Sequence, residues 1–249
     1  MKKITLILGL LAALILLTAP VAAAIGYAWS SNSYTSSNSL NLSFYAQPDE
    51  LALVQISYKE GGAVNDISGV PDGWVLIRKT ENSNNIGQAL YWKSVGSFGY
   101  HWFNCTLDYG QSLSRTTVGI TRFSGVDIED PIIDSSGKTG ISSNPGLDGI
   151  SGLPPGSMIV GYFGYNDDEW RFALPYGMDA WNYRYTHIST NGPSVGAARD
   201  VSSGGDYTAL TSYNNFPGYP WVAQLVALRT AESCEDRDGD GYAVSICGW

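Results

Sequence analysis

LALVQISY, residues 51–58, lies between the turn residues Gln47-Pro48-Asp49 and Gly61-Gly62. A short apolar run closed off at both ends by turn chemistry reads as a β-strand. The same unit recurs along the chain. Residues 40–46, 74–80, 88–95, 100–107, 116–124, 158–165, 179–188, 207–212 and 221–229 read in the same way, punctuated by Pro71-Asp72-Gly73, Pro154-Pro155-Gly156 and Gly204-Gly205-Asp206. Beyond residue 29 no stretch sustains apolar residues at helical spacing. About ten strands with no helices between them predict an all-β fold, an antiparallel sandwich or barrel, and exclude βαβ architectures.

Three segments depart from the pattern. Residues 25–39 form an N-terminal extension whose Ser/Asn tract, 30–39, reads as a flexible linker or as a strand awaiting a partner. Residues 134–156, rich in Gly, Ser and Pro, read as a long loop. The tail, 232–249, abandons strand patterning, which leaves 40–231 as the sandwich domain.

The extreme N-terminus sets the compartment. Lys2 and Lys3 precede an apolar run over 4–17, and Ala22-Ala23-Ala24 supplies the small residues that signal peptidase needs, so 1–24 reads as a cleaved signal peptide. An uncleaved anchor is the alternative, because apolar character continues through Trp29. Export fits the composition: charged residues are 15% of the 249, against roughly 25% in an average soluble domain. Removing Lys2 and Lys3 from the 14 basic side chains leaves 12 against 23 acids, a net charge of −11. That balance and the absence of a polybasic stripe argue against nucleic acid or an anionic membrane as partner.

Six phrases carry a resemblance: PDELALVQISYKEGG, VPDGWVLIRKT, QALYWKSVG, ITRFSGVDIEDPI, PPGSMIVGYFGY and YPWVAQLVALR, in that order. Together they resemble a jelly-roll, concanavalin-like sandwich domain that recurs in secreted and surface proteins of bacteria, archaea and phages. The resemblance spans about residues 40–229 and implies an adhesive, sugar-binding or structural module. It brings no catalytic motif with it, and a shared fold does not fix function.

The tail, CEDRDGDGYAVSICGW over 234–249, resembles the Asp-rich metal-binding repeats of extracellular proteins. On the twelve-position calcium loop, Asp236, Asp238 and Asp240 occupy positions 1, 3 and 5, Gly241 the turn, and the Tyr242 carbonyl the ligand at 7. Oxygen ligands at alternate residues let a tight turn wrap a hard cation. The second half departs from the pattern, with Val244 at position 9 and Cys247 where a bidentate Glu would close the shell. Cys234 and Cys247 bracket the loop and can close it as a disulfide, which in the chain-entropy model is worth roughly 3 kcal/mol. Calcium is therefore the expected cofactor, bound at about 10⁻⁴ to 10⁻³ M, as in extracellular modules.

The third cysteine, Cys105, shares a strand face with Phe103 and Leu107, while Trp102, Asn104 and Thr106 share the other, so it is expected to be a small apolar core side chain. No HExxH, GxSxG or glycine-rich phosphate loop occurs, nor the ExDxxE arrangement of concanavalin-like glycanases. Asp167 and Glu169 have carboxylate spacing within reach of an inverting glycosidase, but a solvated turn explains them better. The same neighbourhood makes a candidate binding surface. Trp170, Tyr176, Trp181, Tyr183 and Tyr185 are interleaved with Asp168, Arg171 and Asn182, and sugars stack on aromatic rings while amides, carboxylates and guanidinium groups take their hydroxyls. In a strand, however, Trp181, Tyr183 and Tyr185 could equally form a core face. The sequence thus leads to a non-enzymatic secreted or cell-surface binding or adhesion module for a glycan or cell-surface polymer. Its rival is a self-associating structural subunit in which residues 30–44 add a strand to a neighbouring copy.

Overall fold

A computed structural model describes residues 24–35, 37–59, 66–83, 86–108, 115–165, 185–187, 194–201, 203–207, 210–211 and 218–231. The opening stretch becomes β3 (Glu50–Lys59), the central strand of a five-stranded antiparallel sheet. Its neighbours are β8 (Arg115–Ser124) and β6 (Ile86–Val95), and the edges are β1 (Gly26–Thr35) and β5 (Val75–Asn82). Both faces of β3 are covered, which is why its sequence is apolar at successive positions instead of alternating. Leu51 and Leu53 pack with Leu90 and Phe123 toward a second sheet. Ala52, Val54 and Ile56 pack toward a third.

The second sheet runs β13 (Tyr185–His187), β14 (Ser194–Val201), β12 (Ser157–Tyr165), β17 (Pro220–Leu228), β9 (Ile132–Ile141). Met158, Val160, Val226 and Leu228 meet the central sheet. Ile159, Phe163, Leu225 and Ala227 point the other way, onto a cover that includes Leu147, Ile150 and Leu153. Those three come from β10 (Gly146–Leu147) and β11 (Ile150–Leu153), which pair with β16 (Leu210–Thr211) and β15 (Gly205–Tyr207). On the opposite side of the central sheet lies a three-stranded sheet, β2 (Ser39–Ala46), β7 (Gly99–Asp108) and β4 (Asp66–Ser68). The protein is an all-β antiparallel β-sandwich with no helix among the described residues.

Two expectations are corrected. Of the two readings of the Ser/Asn tract, linker and strand, the strand holds and the linker falls: β1 pairs with β8 from Gly26 to Thr35, and Trp29 stacks over the Arg122 guanidinium 5.2 Å away. The segment offered as a donor strand for a neighbour is thus used within its own chain, because 39–46 likewise pairs with β7. Nor is 134–156 a loop. Its first part lies in β9, paired along β17, and β10 and β11 follow. Its glycines are what permit this. A Cβ on Gly137 would lie 2.5 Å from Thr80 Oγ1, and one on Gly140 2.5 Å from the Trp221 ring, so side chains of neighbouring strands fold over β9 at those points.

The two five-stranded sheets are tied at their edges. Arg78 donates to the Ser135 carbonyl at 2.5 Å and Asn82 to that of Gly140 at 2.7 Å. Between the sheets Gln224 donates to Thr80 Oγ1 and to the Gln88 carbonyl, both at 3.0 Å, and Gln88 to Ser57 Oγ at 3.1 Å. Only the glutamines' amide N–H groups make these links, since Oε1 of Gln88 and of Gln224 are buried without a hydrogen-bond partner among the described residues.

Candidate functional site

The sequence-derived sites fall mainly outside the described residues. This holds for Asp168, Trp170, Arg171, Tyr176, Trp181, Asn182 and Tyr183, and for Cys234, Asp236, Asp238, Asp240, Tyr242 and Cys247 in the tail. Tyr185 opens β13, opposite Gly196 of β14. Among the described residues no group of three or more His, Cys, Asp or Glu is placed to hold a metal ion.

The structure draws attention to another surface, the outer face of the three-stranded sheet. β2 alternates strictly: Leu40, Leu42, Phe44 and Ala46 are buried against the central sheet, while Ser39, Asn41, Ser43 and Tyr45 face out. β7 does the same from Phe103, with Phe103, Cys105 and Leu107 inward and Asn104, Thr106 and Asp108 outward. An outermost antiparallel sheet should carry polar side chains on its free face. Here the register sets Tyr45 beside Tyr100 and Ser43 beside Trp102. Tyr100 is 66% exposed, Trp102 57% and Phe98, just before β7, 63%. Asn41 pairs with Asn104, and Ser39 with Thr106, farther along the same face. Burying an aromatic of this size stabilises a fold by about 1.5–3 kcal/mol, and these rings forgo most of that.

Their position is held from beneath. A second aromatic tier lies under the sheet, where Trp74 packs edge-on to Phe103 at 5.0 Å and to Phe44 at 6.0 Å. The Trp74 indole N–H also donates to the Trp102 carbonyl at 3.3 Å. Trp74 is delivered by the turn Pro71-Asp72-Gly73, in which Gly73 has φ 84° and Trp74 N–H bonds back to the Pro71 carbonyl. The aromatic end of the face sits where the chain crosses between sheets twice, through Asp49 at φ 61° and Gly99 at φ 137°. Asp49 N–H donates to the Val95 carbonyl at 2.9 Å, tying the two crossings together.

Chemically the face offers stacking and neutral hydrogen bonding, with the carboxylates of Asp66 and Asp108 at one end. β2, β4 and β7 contain no lysine or arginine. The inward side of β7 is inert, as expected of Cys105. Burial pushes its thiol up from 9.0 to about 12, which leaves no thiolate to act as nucleophile near neutrality. Beneath it, Tyr91 rises from 10.0 to about 12, through burial first and then through the charges of Cys105 and Asp66. His101 lies against Phe44 with ring centroids 5.5 Å apart, and its Nε2 is 2.9 Å from the Ser97 carbonyl.

The sequence held a signal for this face, since Trp102, Asn104 and Thr106 were already separated from Cys105 by strand alternation. Lacking was the knowledge that β7 lies in an outer layer. Comparison of the sequence with models of known families and with curated proteins finds no match.

Proposed function

We propose that this chain is a non-enzymatic, exported binding or adhesion module that takes a neutral carbohydrate polymer on the outer face of the three-stranded sheet. The observation that supports this reading is the row Tyr45, Tyr100 and Trp102, exposed to water beside the Asn41–Asn104 pair. Rings stack on the C–H faces of sugars, and amides and hydroxyls exchange hydrogen bonds with their hydroxyls. An anionic polymer finds no countercharge on these strands.

Native affinity electrophoresis in gels containing neutral polysaccharides tests the proposal. The protein is expected to be retarded by at least one of them, and a Tyr100→Ala, Trp102→Ala variant to run as it does in an empty gel. Equal mobility of both proteins in every gel would remove the proposal. Calcium bound by Asp236, Asp238, Asp240 and the Tyr242 carbonyl, in a loop closed by Cys234 and Cys247, belongs to the same reading as a stiffener of the tail. Calorimetric titration should give binding heat at about 10⁻⁴ to 10⁻³ M calcium that an Asp238→Ala, Asp240→Ala variant loses. No heat up to several times that range would refute it.

A further inference from the structure

Tyr45 does not share a plane with the exposed aromatic rings that touch it. Tyr45 meets Phe98 with ring centroids 5.0 Å apart and ring planes at 82°, and meets Tyr100 at 5.3 Å and 77°. Both are the perpendicular contacts that ring quadrupoles favour, so each neighbour favours the orientation Tyr45 has. Turning Tyr45 to lie parallel with either ring would give up one of those contacts. Tyr45 therefore makes a corner with Phe98 and another with Tyr100.

A corner and a plane select different forms of the same polymer. The flat face of a crystalline polysaccharide touches several rings together only where their faces are coplanar. A separate chain has no such requirement, because a single sugar can lay its C–H face on one ring and set its rim against the perpendicular one. Trp102 follows Tyr100 on the same side of β7, about 7 Å further along. Beyond it, Asn104 stands opposite Asn41, so a chain leaving the corner along β7 next meets a ring and then two amides.

Resting on the carbohydrate reading above, we infer that the face takes one isolated chain of soluble or amorphous neutral polysaccharide, seated in the Tyr45 corner and directed along β7, and not the surface of a crystalline polymer. The charges agree with a neutral occupant. Asp66 and Asp108 stand opposite each other at the far end of the face, about 27 Å from Tyr100, where a polyanion would meet like charge.

The test uses the full chain in two formats: native gels containing soluble glucomannan, galactomannan, xyloglucan or mixed-linkage β-glucan, and depletion from solution by crystalline cellulose and crystalline chitin. Retardation by at least one soluble polymer is expected, without depletion by either solid. Tyr45→Ala, and Phe98→Ala as a second way to open the corner, should each weaken that retardation at least tenfold while thermal unfolding stays unchanged. Depletion by a crystalline solid with affinity within tenfold of the best soluble polymer would overturn the inference and leave the carbohydrate reading intact. So would undiminished retardation of both corner variants. Failure to bind any polymer in either format would overturn the carbohydrate reading, and the inference with it. A dimer in light scattering that Tyr100→Ala dissolves would do the same, by assigning the face to a second copy of the chain.

Discussion

Strands β7 and β12 are similarly aromatic and meet opposite fates. β12 runs between β14 and β17 with both faces covered, and Tyr162, Phe163 and Tyr165 are at most 1% exposed. β7 lies in the outermost layer, where Phe103 is buried while Tyr100 and Trp102 stand in water. Aromatic content alone therefore does not mark a functional surface. Layer position is what separates the two strands, because a ring on an uncovered face contributes little to the fold and is open to a partner.

The largest expected effect breaks the covered strand. Phe163→Ala removes a ring packed among Leu147, Leu153 and Leu225 and should lower stability by about 3–5 kcal/mol in urea denaturation. A loss below about 1 kcal/mol would show that the outer cover on this sheet is loose, and the contrast with β7 would vanish. Gly87→Ala should cost less. The added methyl would overlap the ring of Tyr58, which its hydroxyl holds to Glu81 by a 2.7 Å hydrogen bond. Overpacking of this kind costs about 1–3 kcal/mol, and an unchanged denaturation midpoint would mean that Tyr58 moves freely.

The same layering explains what could be read in the sequence. Interior strands such as β3 and β12 were legible because their burial shows directly as apolar runs. Among the edge strands, β2 and β5 were legible at 40–46 and 74–80, β1 only as one of two readings, and β9 not at all. β1 and β9 belong to the fold chiefly through backbone pairing with β8 and β17, and backbone hydrogen bonds leave no trace in composition. Ser and Asn in one then suit a linker as well as a strand, and Ser and Gly in the other look like a loop. In β9 the glycines that mimic a loop are there because Thr80 and Trp221 occupy the space of a Cβ. For the candidate face, alternation separated Trp102 from Cys105, but alternation is symmetrical. Which side meets water depends on which sheet lies beneath, a long-range fact that residues 99–108 do not encode. The densest aromatic stretch, 170–185, likewise shows density but not layer.

The inner side of β7 carries the next prediction. Cys105 and Tyr91 keep their protons in the fold up to about pH 12, whereas the unfolded chain releases them from about 9.0 and 10.0. Their contribution is complete below pH 9 and is lost as pH rises toward 12, first through Cys105 and then through both. Each group can reduce stability by about 1 kcal/mol per pH unit within its range. Denaturation at pH 9 and pH 10 should show the decline, and Cys105→Ala should flatten it. A variant with an undiminished slope would take the thiol out of the account.

The smallest expected change in stability is also the one that most sharpens the comparison. Trp102→Ala removes a side chain 57% exposed, yet leaves the backbone carbonyl that accepts the Trp74 indole N–H. Stability should shift by no more than about 0.5 kcal/mol, as surface substitutions usually do. Retardation by a neutral polysaccharide should nevertheless fall at least tenfold, because the ring lies in line with the Tyr45 corner. The two readouts separate the possible roles of this ring. A destabilisation of about 2 kcal/mol would make Trp102 a structural cover for the three-stranded sheet, with any loss of binding secondary to it. Unchanged stability together with unchanged retardation would place the contact elsewhere on the molecule. Only stability kept and binding lost fits a ring held outward for a partner, and that pair of results would set β7 apart from β12 by function as well as by layer.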